Sequence, residues 1–330
     1  MTKKKFKDTD YLSISAALRA REARMPDEAS IDRLLACESF DDAVKLLADH
    51  GYLEFAPAQL NDVLNDHRRE IYTQLENEEH TRPIVEVFAK KYDYHNIKVL
   101  VKAESLGTDG KSLLSDVGTV NKDRFIELCS RNETDSLPSP LNTVIKDARN
   151  FMSATGDPQR TDIFIDKAYF ADILDAAAST GSDFITGYVK TLIDSANIRT
   201  AVRCIRTGKT AAFLSEAVIG GGTVSMGRVC KSMTSETVKR SFSGSIFDGA
   251  AKLVHGAVEA GAMSEFELKC DAAVGGYLSK ASLISFGPEA VLTYLSKLEN
   301  EITAIRMILT GKLSGIDPEV LRERLRAINV

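Results

Sequence analysis

The stretch Cys204-Ile205-Arg206-Thr207-Gly208-Lys209-Thr210 ends in Gly-Lys-Thr, the triplet that closes a phosphate-cradling P-loop. A working P-loop reads G-x-x-x-x-G-K-[ST] between a strand and a helix, because backbone N–H groups at its glycines wrap the phosphates. Here Arg203 stands where the first glycine belongs, and Ile198, Ala201, Val202 and Ile205 recur at helical spacing. Gly208 is therefore expected to stop a helix by turning left-handed, and no direct nucleotide binding is expected. The run Gly220 to Gly222 has no Gly-Lys-[Ser/Thr] after it and reads as a flexible connection. The five cysteines, Cys37, Cys129, Cys204, Cys230 and Cys270, contain no CxxC pair and are odd in number, so reduced thiols are expected rather than a disulfide framework. The five histidines form neither H-x-x-x-H nor H-E-x-x-H. No metal site, cofactor or catalytic residue is expected.

The elements that would carry these residues read as helices, and the fold class is all-α. "DTDYLSISAALRAREARM" opens on cap candidates, and "SFDDAVKLLADHGY" has Ser39 as N-cap and Gly51 as stop. The segment from Gly287 to Lys312 places Pro288 in a first turn and repeats apolar residues at Val291, Leu295, Leu298, Ile302, Ile305 and Leu309. Asp317 and Pro318 begin a closing helix. Only "RTDIFI" and "TVSM" invite strands. The net charge of −5 argues against a nucleic-acid partner. The basic start, Lys3 to Lys5 and Lys7, is followed by no apolar segment; it reads as a solvated tail, or as a contact for anionic headgroups, and not as a signal peptide. No window approaches the 18 uncharged apolar residues of a membrane span.

The Thr-Gly-Lys triplet recurs at Thr310-Gly311-Lys312. Asn96, Asn197 and Asn300 each lie eleven residues before a glycine, Gly107, Gly208 or Gly311, and a cation follows six residues on, at Lys102, Arg203 and Arg306. The asparagines are 101 and 103 residues apart. That period exceeds solenoid repeats and allows each unit its own core. Three tandem helical domains are expected, at residues 1–115, 116–215 and 216–330, arranged with pseudo-threefold symmetry as a cup or funnel. Asp66, Asp166 and Asp271 precede the asparagines by about 30 residues, a spacing at which a helical hairpin would pair each with the cation of its own unit. The asparagines themselves are expected to cap or bridge helices.

"DYLSISAALRAREARM", "YHNIKVLVKA" and "ENEITAIRMILTGKLSGIDPEVLRERLR" together resemble the C subunits of the bacterial and archaeal V/A-type rotary ATPases, counterparts of the d subunit in the vacuolar ATPase. The resemblance runs from about residue 9 to the C-terminus, although the chain ends Ile328-Asn329-Val330, without the aromatic residue found near the end of many relatives. It implies a non-catalytic, funnel-shaped rotor subunit. Its narrow face would sit on the membrane proteolipid ring, and its cavity would receive the tip of the central shaft made of the D and F subunits. One copy per complex, held peripherally on the cytoplasmic face of the membrane through that ring, would pass torque during proton or sodium transport.

Two readings of the basic residues stand side by side. Lys98, Arg199 and Arg206, with the repeat cations, would line a socket that grips an acidic shaft or ring loop. Alternatively each cation pairs with an acid of its own unit. Lys98 with Lys102, and Arg199 with Arg203, are i, i+4 like-charge pairs and need acids to answer them. The rival to the rotor reading is a helical scaffold that binds another ring-shaped or membrane-associated partner.

Overall fold

The structure, a computed structural model, describes residues 6–325 except 260 and 282. Lys3 to Lys5 and Ile328 to Val330 lie outside the described residues. Among the described residues there are sixteen α-helices, six short 3-10 turns and no strand. In chain order the α-helices are α1 (Leu12–Glu22), α2 (Glu28–Ala36), α3 (Phe40–Leu47), α4 (Leu60–Glu76), α5 (Arg82–Leu106), α6 (Lys122–Ser130), α7 (Leu141–Thr155) and α8 (Pro158–Ser179). They continue with α9 (Asp183–Arg206), α10 (Ala211–Ala217), α11 (Met226–Val229), α12 (Ser235–Phe242), α13 (Asp248–Glu259), α14 (Met263–Leu278), α15 (Pro288–Leu313) and α16 (Pro318–Leu325). The two segments with strand-like patterns differ from expectation: Arg160–Ile165 lies within α8, and Thr223 to Ser225 is an irregular turn leading into α11. Burial on a helix face, rather than alternation across a sheet, explains the apolar residues of "RTDIFI": only Ile165 is fully buried among Ile163, Phe164 and Ile165.

Local sequence sets seven of the sixteen α-helix starts through side-chain caps. Asp27, Ser39, Asn121, Asp157, Ser182, Thr210 and Thr234 each accept a backbone N–H from the first turn of the helix that follows. The ends of the long helices follow one motif. Lys209 N–H reaches back to the Cys204 carbonyl at 2.9 Å and Gly208 N–H to Ile205 at 3.2 Å, with Gly208 left-handed at φ 63°. Gly107 ends α5 with the same pair of bonds, at 2.9 and 3.2 Å. A helix runs up to Gly208, so Gly-Lys-Thr closes no P-loop. At α15 the motif belongs to Gly315, whose φ is 65°, and Gly311 stays inside the helix. Gly311 is small for another reason: a Cβ there would lie 2.6 Å from Leu321 of α16. The third long helix thus runs one turn past the triplet that matched it to the others.

The chain divides into two compact units by its contacts: residues 1–82 with 267–330, and residues 83–266. In the first, α15 packs against α1, α3, α4 and α16, and α2 against α3 and α16. All six of the expected apolar positions on α15 are buried. Arg68 of α4, itself buried, binds Glu299 of α15 at 2.6 Å, and Tyr72 donates to the same carboxylate at 2.7 Å. In the second unit α8 packs along α7 and α9, and α12 and α13 along α9. One core here gathers Tyr94, Ile97 and Val101 of α5 with Phe125, Leu128, Ile145 and Ile165. The five cysteines are free thiols, three of them buried.

The tight approach of α16 to α15 has a measurable cost if it is filled. Gly311→Ala is expected to cost about 1–3 kcal/mol through overpacking against Leu321. Gly227→Ala, in α11 with nothing within 4 Å, should be neutral or stabilise by less than about 1 kcal/mol. Urea denaturation of the two variants against the parent measures both.

Candidate functional site: an acid–amide clamp on the long helices

The sequence repeat has a structural counterpart that its most visible residues only half reveal. On α5, Asn96 is buried and pairs with one backbone unit of the segment beyond the helix. Its Nδ2 donates to the Ser115 carbonyl, and Ser115 N–H donates to its Oδ1, both at 2.8 Å. One turn earlier, buried Asp93 takes the N–H groups of Thr119 and Val120 at 3.0 Å each, and the Thr119 hydroxyl at 2.7 Å. On α9 the contacts repeat. Asn197 pairs both ways with Ile219 at 2.8 Å, and Asp194 accepts from the N–H groups of Thr223 and Val224 at 3.0 and 3.1 Å, and from the Thr223 hydroxyl. A helix side chain here does what a neighbouring strand would do, satisfying backbone groups of an irregular segment that is partly buried.

The occupant must come very close. A Cβ on Gly118 would sit 2.2 Å from Asp93 Oδ1, and one on Gly222 would sit 2.2 Å from Asp194 Oδ1. Gly-Thr-Val, at 118–120 and 222–224, is therefore the tripeptide that fits. The glycine run at 220–222, expected as a flexible connection, lies between residues that two helix side chains bond, Ile219 before it and Thr223 and Val224 after it. Sequence reading found the asparagines and missed the acids three residues before them. The D-x-x-N pattern on each helix, and the Gly-Thr-Val that follows each helix at 118–120 and 222–224, were the available signal.

In α15 the register differs by one turn. Gly315 lies fourteen residues after Glu301, as Gly107 and Gly208 lie fourteen after Asp93 and Asp194. By that count the buried acid is Glu301, Ala304 stands at the amide position, and Arg306 corresponds to Lys98 and Arg199. Asn300 is half-exposed and borders two cavities rather than clamping a segment. With Ala304 at the amide position, the residues after α15 form α16 against α2 instead.

The expected ion pairs take a different form. Asp166 binds Lys98 at 2.6 Å rather than Arg203, and Lys102 binds Asp162 at 2.6 Å rather than Asp66, whose partner is Arg69 one turn away. The two lysines of α5, a turn apart, are thus answered by two aspartates of α8, also a turn apart, and the like-charge repulsion within each pair is cancelled. Arg306 donates to Asn61 at 3.2 Å and Asn65 at 3.5 Å, both on α4, and Asp271 lies on α14. Arg199 bonds the Ser195 hydroxyl on its own helix. Arg203 and Arg206 are exposed in the last turn of α9, and no carboxylate among the described residues lies within ion-pair distance of Arg206.

Burial dominates the acids of the clamps. It lifts Asp93 to about 6 even though three hydrogen bonds and Lys90 favour its charged form, and it raises Asp194 as well. Glu301 rises further, to about 7, because burial is opposed by a single hydrogen bond, from Tyr52 at 3.0 Å. Tyr52 in turn lies against the His67 ring, 4.8 Å between centroids. Among the described residues no three His, Cys, Asp or Glu side chains converge as a metal site would need, and no helix is long and apolar enough to cross a membrane.

A sequence model of the family described as ATP synthase (C/AC39) subunit matches residues 14–324, nearly the whole chain. The chain belongs to that family. It is similar to the C subunit of the V-type sodium ATPase of Enterococcus hirae, 21% identical over 97% of this chain and 99% of the relative. It is also similar to the C subunit of the A-type ATP synthase of Methanocaldococcus jannaschii, 22% identical over 96% of this chain and 86% of the relative. The C subunit of the V-type ATP synthase of Thermus thermophilus is 23% identical over 60% of this chain and 64% of the relative. The C/AC39 assignment agrees with the resemblance carried by the N-terminal, middle and C-terminal segments.

Two outcomes follow from the clamp geometry. Asp194→Ala removes the acceptor for one buried backbone donor, Val224, and one part-buried donor, Thr223, and is expected to cost about 1–3 kcal/mol. Hydrogen exchange should show Thr223 and Val224 amides losing protection, while Thr119 and Val120 keep theirs. Glu301 sets a pH dependence. Its folded-state value lies above the ordinary glutamate value, so the folded chain holds the proton more tightly than the unfolded chain. Stability from this group is present below about pH 4.5 and is lost as pH rises through about 7, by roughly 3 kcal/mol in all. Glu301→Gln should flatten that part of the curve, read as the difference in urea midpoint between the two proteins at pH 5 and pH 8.

Proposed function

We propose that this chain is a non-catalytic rotor subunit of a V/A-type rotary ATPase. It couples the central shaft of D and F subunits to the membrane proteolipid ring during ATP-driven or ATP-producing transport of protons or sodium. The observation that carries the reading is the C/AC39 match over residues 14–324, together with relatives named as C subunits that align along most of their length. In this reading one copy sits peripherally on the cytoplasmic side, held through the ring, with no nucleotide, nucleic acid or cofactor of its own. Three helical domains, residues 1–115, 116–215 and 216–330, would form a cup around the shaft tip. The clamp shared by α5 and α9, and the terminal glycine motif shared by α5, α9 and α15, support a threefold repeat.

The work required is mechanical. A coupling piece must carry torque without its helices sliding, and midpoint clamps that tie a helix to its own following segment resist that motion. Of the candidate contacts, Arg206 is the cation with no carboxylate partner among the described residues, so it leads as a contact for an acidic shaft or ring surface. Arg199 lies two turns earlier on the same helix. Lys98 already holds Asp166 and would have to share or exchange it.

The chain, tagged in its native host and purified from mild-detergent extracts, is expected to bring down proteolipid ring, shaft and catalytic-head subunits together. Recovery alone or with unrelated soluble partners would turn the reading to a scaffold for another partner. Arg199→Glu with Arg206→Glu should weaken shaft binding about tenfold at low salt, with the difference shrinking as salt screens it, and unchanged circular dichroism. Unaltered affinity would remove the basic socket.

A further inference from the structure

The chain carries a net charge of −5, yet from Ala217 to Phe247 it holds four cations, Arg228, Lys231, Lys239 and Arg240, against one acid, Glu236. All four cations are exposed, and none lies within ion-pair distance of a carboxylate among the described residues. Elsewhere in the second unit Lys90, Lys98, Lys102, Arg149 and Arg160 each hold a carboxylate at 2.6–2.7 Å. Glu236 stands four residues before Arg240, the favourable order on a helix, without reaching it. Asp248, the next acid along the chain, is taken by Lys252 at 2.6 Å.

The fold gathers these charges at one corner. Arg228 of α11 donates from Nη2 to the Arg240 carbonyl, in the last turn of α12, at 2.7 Å. The Ser241 hydroxyl donates to the Arg228 carbonyl at 3.0 Å, and Ser232 Oγ donates to Ser241 Oγ at 2.8 Å. Val229, Val238 and Phe242 of the same two helices are buried and anchor the corner. The carbonyl end of a helix favours cations, and here it occupies one donor of Arg228. An arginine has five N–H donors and a lysine three, so most donors of the cluster have no partner among the described residues. Beside them Met226 and Ile246 are each 43% exposed. A Cβ on Gly227 or Gly244 would meet nothing within 4 Å, so the corner is open there.

We propose that this corner of the second unit docks on an anionic lipid bilayer, with Arg228, Lys231, Lys239 and Arg240 on the headgroup phosphates and Met226 and Ile246 at the headgroup–acyl boundary. Exposed basic side chains flanking exposed apolar ones suit that interface. An acidic protein surface would answer the charges but would set Met226 and Ile246 against polar groups. The long stems of lysine and arginine lie along apolar surface while their heads reach a plane of phosphates. Most of the attraction is electrostatic, so it weakens as salt rises. The inference does not depend on the rotor reading, because it rests on the local imbalance of charge and concerns the chain and lipid alone.

The chain has no tryptophan, so Met226→Trp places a single fluorescent reporter on the corner. The full chain is mixed at low salt with vesicles of equal parts phosphatidylglycerol and phosphatidylcholine, and with vesicles of phosphatidylcholine alone. On the mixed vesicles only, reporter emission is expected to shift to the blue and to be quenched by brominated acyl chains, and high salt should reverse both. Sedimentation of the unsubstituted chain with the mixed vesicles should show the same affinity. Lys239→Gln with Arg240→Gln should lower partitioning about thirtyfold with circular dichroism unchanged. Arg131→Gln with Lys146→Gln, which removes two exposed cations that already hold acids, should leave it unchanged. No response to the mixed vesicles, an equal response to phosphatidylcholine, or equal losses in the two charge variants would each overturn the proposal. A response to poly-glutamate without one to the vesicles would overturn it too, assigning the corner to an acidic protein.

Discussion

A buried carboxylate on a long helix, accepting the backbone N–H groups of the segment that follows that helix, is the contact on which the second unit depends. Burying an acid costs several kcal/mol unless donors surround it. Here the donors are backbone groups that would otherwise themselves lack partners. Each side therefore solves the other's problem, and neither can be removed alone. The amide three residues on performs the same service for one further peptide unit, in both directions at once. Between them the two side chains hold a segment of six residues in one case, Ser115 to Val120, and of six in the other, Ile219 to Val224.

Much of the fold was legible because helices announce themselves locally. Ser39, Asp317 and Pro288 stand where chain chemistry demands caps and first turns, and the stripe from Val291 to Leu309 buries as its spacing requires. The glycine motif at Gly208 was also readable, since a glycine directly after a run of helical spacing is suited to end it. The clamp was only partly legible. Its asparagines stood out through a regular spacing, but its acids are defined by donors more than twenty residues away, and no local pattern reveals such a partner. The third copy misled for a specific physical reason. Gly311 sits in the same triplet as Gly208 yet serves close packing against Leu321, so counting from it displaced the register by one turn.

Ion pairing shows the same division between local and distant information. The need of Lys98 and Lys102 for answering acids follows from their spacing on one helix. Which acids answer follows from α8 lying alongside α5, a tertiary fact. The chosen pair, Asp162 and Asp166, matches the lysines turn for turn. Each contact is half-exposed and individually weak; their joint effect is to fix the axial register of two helices whose apolar faces alone would tolerate some sliding.

The first unit is assembled from the two ends of the chain, residues 1–82 and 267–330. Its buried Arg68–Glu299 pair and the α4–α15 interface join parts made far apart in time. A ribosome needs roughly 10–40 s to produce the intervening stretch, and throughout that interval Leu64, Ile71 and Leu75 of α4 have no α15 to cover them. The second unit can close as it emerges, since each of its clamps ties residues no more than about thirty positions apart. The helices of residues 1–82 are therefore synthesised before the second unit and completed only after it, and the window in which they invite chaperones or aggregation is set by the length of the unit inserted between the two halves.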